Sequence, residues 1–226
     1  MDEERQEVIK VLTEAALNTH PSYSMHARFW GQRCNAEHSE KFWDVPSLEL
    51  RTGGRLLQFH QYKPVMERIM KIRATYSNGR GRGVCVLGNP GAGAFGLAYP
   101  ENNAHFNQGK STFLDYFLIN ILCEKQEVLL YRDDIISIHL AEGCFALLIG
   151  SFSRIAFSSI MKDMIALIDS DTIVGEPPAV LVGSSTPFFP VQAALPRPDR
   201  YKAWTKQRSA RFIVVDPPSC EEIHTV

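Results

Sequence analysis

Apolar positions recur along this chain at two spacings, and the alternation between them predicts an α/β fold. Over 3–18 the apolar residues Val8, Ile9, Leu12, Ala15 and Ala16 fall at helical spacing, the pattern of a surface helix with one face turned inward. Val65, Met66, Ile69, Met70 and Ile72 repeat it, and 113–122 is apolar for long enough to be a buried helix. The runs between are of strand length: 84–87, 127–131, a hairpin of 136–140 with 145–149 around Glu142-Gly143, then 165–171, 179–182 and 212–216. Strands alternating with helices predict a largely parallel sheet whose ligand site lies at the strand C-termini. An aromatic, irregular stretch with Tyr23, Phe29, Trp30, Phe42 and Trp43 reads as core or lid packing. The chain divides into an N-terminal helical and irregular extension, 1–78, and a core, 79–226.

The chemistry concentrates at one strand end. Val84-Cys85-Val86-Leu87 runs into Gly88-Asn89-Pro90-Gly91-Ala92-Gly93, and Gly109-Lys110-Ser111-Thr112 stands further on, ahead of the apolar helix. Joined directly, the halves read GNPGAGKST, a complete phosphate-binding GxxxxGK[ST] loop between strand and helix. In such a loop consecutive backbone N–H groups and the helix N-terminus converge on phosphate oxygens, the lysine reaches the β/γ-phosphates and the hydroxyl holds Mg²⁺. Either half alone is an ordinary glycine-rich turn. Strand, glycines, Gly-Lys-Ser-Thr and helix in that order carry the signal.

Ile165-Ala166-Leu167-Ile168-Asp169-Ser170-Asp171 is an apolar strand ending in acid, the Walker B pattern, in which Asp169 orders the Mg²⁺ shell. Taken alone it is also how many strands enter a turn. Asp171 is expected to orient an attacking water. Ser184, after the apolar run 179–182, is the expected γ-phosphate-sensing group at a neighbouring strand end, with Ser185 beside it.

Composition narrows the classes. The chain has 226 residues, 45% of them hydrophobic, enough to bury one core, and its formal charge of −1 gives no electrostatic footprint for nucleic acid. Neither an 18-residue apolar run nor a secretory leader is present, so the expectation is an intracellular chain, cytoplasmic or nuclear, with no membrane partner. Its five cysteines lack a CxxC pair and read as reduced core residues, and the scattered histidines lack metal-ligand spacing.

The blocks FWDVPSLELRTGGRLLQF, GVCVLGNPGAG with GKSTFLDYFLI, MIALIDSD, and RYKAWTKQRSARFIVVDPPSCEE resemble, in their order, the P-loop NTPase module of crinkler-type proteins of fungi and oomycetes. That module is similar to the one in retrotransposon hot spot proteins. The resemblance runs from about Phe42 to Glu222 and implies an additional-strand (RecA/ASCE-like) ATPase core of the signalling type. It implies ATP, or another NTP, with Mg²⁺, and Lys110, Ser111 and Asp169 in the phosphate and metal roles. Members often continue into helical and effector regions that supply protein partners.

The departure from the family is the insert, 93–108, of the kind a retained short intron leaves. Looping out about 16 residues costs only about 2.5 kcal/mol by the logarithmic closure relation, so the fold is expected to survive. The cradle between Gly93 and Lys110 is severed, and phosphoryl transfer depends on positioning. The reading is therefore an ATP-binding NTPase weakened by its insert. A non-catalytic regulatory or interaction module on a degenerate NTPase domain is the alternative.

Overall fold

In a computed structural model of the chain, the described residues are 3–32, 42–44, 55–57, 60–75, 83–88, 108–152, 161–162, 164–170 and 175–215. Helices α1 (Glu3–Ala15), α2 (Pro21–Phe29) and α3 (Tyr62–Thr75) precede the first long strand, with β1 (Phe42–Asp44) and β2 (Arg55–Leu57) paired antiparallel between α2 and α3. Then follow β3 (Val84–Gly88), α4 (Gln108–Cys123), β4 (Val128–Arg132), β5 (Ile135–Leu140), β6 (Gly143–Leu148) and the single turn α5 (Ile149–Phe152). The chain continues with β7 (Ile165–Asp169), α6 (Ala179–Val182), β8 (Phe189–Ala194), a 3₁₀ turn at Pro198–Arg200, α7 (Lys202–Arg208) and β9 (Arg211–Val215).

Seven strands make one sheet in the order β6-β5-β4-β7-β8-β3-β9. From β4 to β9 every pairing is parallel, and β5 and β6 extend the sheet as an antiparallel hairpin. The tight turn from β4 to β5 places Asp133 and Asp134 both at positive φ, 53° and 61°. Two consecutive left-handed residues match the sheet's twist, and Asp tolerates that conformation better than most residues.

Strand alternation sorts the side chains into two cores. Val84 and Val86, Val128 and Leu130, and Ile165 and Leu167 face one side, where α4 lies, with Met25 and Phe29 of α2 and Tyr62 and Ile69 of α3 packed into the same cluster. Leu129, Tyr131, Ala166 and Ile168 face the other, against Leu12 of α1, Leu181 and Val182 of α6 and Trp204 of α7. Helix α4 is apolar nearly all round because it is covered on both sides, by the sheet and by α2 and α3. The N-terminal helices therefore share the cores of the sheet.

Two expectations are corrected. The run 179–182 is a one-turn helix. Four apolar residues carry no usable period, and Pro178 before them with Gly183 behind punctuates a helical turn, closed by Gly183 N–H donating to the Ala179 carbonyl at 2.7 Å. The strand expected there is β8, whose Pro190 and short apolar run disguised it. The cysteines are not all reduced either: Cys123 is disulfide-bonded, its partner lying outside the described residues, while Cys85 and Cys144 are free. Among the described residues no helix is long and apolar enough to cross a membrane.

Candidate functional site

The parallel strands present their C-termini along one edge, and on the α4 side that edge is polar. Gly88, Arg132 and Asp169 end β3, β4 and β7 and continue the alternation of Val86, Leu130 and Leu167, so all three stand on the face that α4 covers. Helix α4 brings Lys110, Ser111 and Thr112 to this edge in its first turns, each at most 8% exposed.

The lysine lies along the end of the loop strand. A Cβ added to Gly88 would stand 3.0 Å from Lys110 Cγ and 3.2 Å from Cδ, so the space a larger residue would use at 88 holds the lysine stem. So close an approach of a side chain to the strand favours glycine at 88. Lys110 and the α4 N-terminus could take an anion here, and Ser111 and Asp169 have oxygen donors of the kind Mg²⁺ prefers. Of the metal-ligating residue types, no group of three or more is clustered among the described residues.

Asp169 is 1% exposed, and its company was not foreseen. Arg132 donates from Nε to Asp169 Oδ2 at 2.9 Å, from Nη1 to Asp115 Oδ1 at 2.8 Å, and from Nη2 to the Ser111 carbonyl at 3.4 Å. Burial by itself would lower the Arg132 pKa, but Asp115 and Asp169 outweigh it and hold the guanidinium above its ordinary value. It is a permanent cation. The sequence carried a signal for both partners: Asp115 is an acid inside an otherwise apolar helix, and Arg132 closes the apolar run Val128–Tyr131. Residues of these types are almost never buried unless paired.

The remaining expected site residues divide as follows. Gly109 lies in the first turn of α4. Asn89, Pro90, Gly91, Ala92, Gly93 and Asp171 lie outside the described residues, as does the insert up to residue 107, while Gln108 already opens α4. Ser184 is a correction. It precedes β8, whose first residue, Phe189, pairs with Ile165 at the start of β7, so Ser184 and Ser185 are exposed on the edge opposite to Asp169. The residue of β8 level with Asp169 is Ala193.

Behind Asp169, on the other face, Gln192 ties the neighbouring elements together. Its amide nitrogen donates to the Ser170 hydroxyl and to the Arg200 carbonyl, and its carbonyl accepts from the Trp204 indole at 2.6 Å. Arg200 in turn donates to the Ser170 carbonyl at 2.6 Å. These bonds fix the backbone that leaves β7 just beyond the acid. Compared with family models, curated proteins and solved structures, the chain matches none.

Proposed function

We propose that the chain is a nucleotide-binding module of the P-loop type, taking ATP with Mg²⁺, and that its kinship is with the crinkler-type NTPases. The observation that carries this reading is Lys110 laid over Gly88 at the end of β3, on the same edge and face as Asp169. The strand order supports it further. β8 separates the loop strand β3 from the acid strand β7, the interposition that gives additional-strand ATPases their name.

In this reading Lys110 neutralises β/γ-phosphate charge, the first turn of α4 directs N–H groups at phosphate oxygen, and Ser111 and Asp169 hold the metal. Ser111 and Asp169 would hold Mg²⁺, whose chemistry here would be to offset negative charge on the phosphates. The protein's own part is positioning: α4 fixes Lys110 and Ser111, β7 fixes Asp169, and Arg132 ties the two elements together. Asp171 keeps its proposed role toward the attacking water.

Specific observations favour binding without turnover as the second reading. Ala193, a methyl group, stands level with Asp169 where a polar strand end was expected, and a guanidinium already engages the acid. A non-catalytic regulatory module would need only the binding half of the site. An intracellular location belongs to this reading too. Titration of ATP·Mg²⁺ into the chain and into Lys110→Ala tests binding, and phosphate release in Asp169→Asn separates the two readings. Hydrolysis that Asp169→Asn reduces supports the enzyme; binding with no phosphate release supports the module.

A further inference from the structure

Two acids reach one arginine from different layers of the fold. Asp115 stands one turn beyond Ser111 on α4, Asp169 ends β7, and the Arg132 guanidinium hydrogen-bonds both. The side chains of Arg132, Asp115 and Asp169 are 14%, 5% and 1% exposed, so the cation and its acids are sequestered together. Ionised carboxylates buried this deeply need positive charge beside them, and here the chain itself supplies it. The planar fork matters as much as the charge. Nε and Nη1 point at different acids while Nη2 reaches the Ser111 carbonyl, a geometry a lysine ammonium cannot copy.

We infer that Arg132 is the resident cation of this site and prevents Asp169 from holding a divalent metal ion by itself, so that metal enters only together with a nucleotide's phosphates. The inference rests on the nucleotide reading above and gives its site an order of loading. A bare divalent ion at Asp169 would stand against a buried guanidinium that cannot give up its proton, and like charges repel most strongly where water is excluded. A triphosphate brings negative charge of its own and reverses that balance. Arg132 is thus a positioning residue, acting through Asp169, Asp115 and the α4 backbone.

The test is titration of the full chain with Mn²⁺, a paramagnetic substitute for Mg²⁺, in the absence of nucleotide, with bound ion read from the loss of the free-ion resonance signal and folding followed by circular dichroism. Wild type is expected to hold Mn²⁺ no better than Asp169→Asn does. Arg132→Gln should bind at least tenfold tighter than wild type, and adding Asp169→Asn to it should remove the gain. Arg132→Lys, which keeps a point charge without the fork, should fall between. If Arg132→Gln does not fold, the wild-type and Arg132→Lys arms decide, and if neither variant folds the wild-type arm decides alone.

Wild-type Mn²⁺ binding that Asp169→Asn abolishes would overturn the inference, as would a folded Arg132→Gln with no gain. Because no arm contains nucleotide, the two ideas fail separately. A gain in Arg132→Gln from a chain that never binds ATP would sink the nucleotide reading alone. Metal held at Asp169 by an ATP-binding wild type would sink the resident-cation idea alone.

Discussion

Acid should weaken this fold through one buried histidine. His139 of β5 is 0% exposed, faces the α2 side between His26 and the sheet, and stacks on His26 with ring centroids 5.6 Å apart. Neither of its ring nitrogens has a hydrogen-bond partner. Burial, and then the nearby charges of His26 and His20, push its pKa down to about 3 from 6.5. Between those values the unfolded chain binds a proton that the folded chain refuses. Stability is therefore full above about pH 6.5 and is lost as pH falls toward 3. At 1.36 kcal/mol per pKa unit the full loss approaches about 5 kcal/mol, of which about 2 kcal/mol falls between pH 7.5 and pH 5. Urea unfolding at those two pH values, in wild type and His139→Leu, measures it. Burial lowers the pKa of His20 and His26 as well, with Asp133 opposing it at His20, and these groups remain in both proteins, so the difference between the two isolates His139. Wild type should lose about 2 kcal/mol more than the variant. At pH 7.5 the variant should be within about 1 kcal/mol of wild type or above it, since the imidazole's buried polar atoms are unpartnered. Equal losses in the two proteins would refute the argument.

Two more outcomes follow from local geometry. Gly88→Ala should change stability by less than about 1 kcal/mol, because the obstructing atoms belong to a flexible lysine, yet it should weaken ATP binding about tenfold by displacing Lys110, as calorimetry would show. Alkylation without reductant should label the buried Cys85 only after unfolding, should label the partly exposed Cys144 slowly in the folded chain, since burial raises both thiols to about 12, and should leave Cys123 unlabelled until a reductant is added, as peptide mass spectrometry can read.

The parts legible in sequence were those whose pattern is local. The period of α1 and α3, the apolar runs of β3, β4, β7 and β9, and the hairpin of β5 and β6 each sit within one or a few residues of expectation. α2 was hidden in an aromatic stretch whose proline, Pro21, in fact opens the helix. β8 was hidden by Pro190 in a strand central to the sheet, and the error carried Ser184 with it to the wrong edge. That Lys110 and Ser111 open α4 and that Asp169 ends β7 was legible because each stands at the border of a long apolar run. Arg132 and Asp115 each carried a local signal as charges set in apolar runs, but their pairing with Asp169 could not be read, because it exists only once β4 lies beside β7 and α4 crosses both.

We propose that Lys110 and its edge of the sheet bind a nucleotide despite the interrupted loop. Isothermal titration of ATP·Mg²⁺ into wild type, into a chain lacking 93–108, and into Lys110→Ala of that shortened chain tests it most directly. The shortened chain should bind tightly, wild type, whose cradle is severed, at least tenfold more weakly, and Lys110→Ala not at all. A shortened chain that is folded and binds no nucleotide, or binds it equally well without Lys110, would contradict the claim.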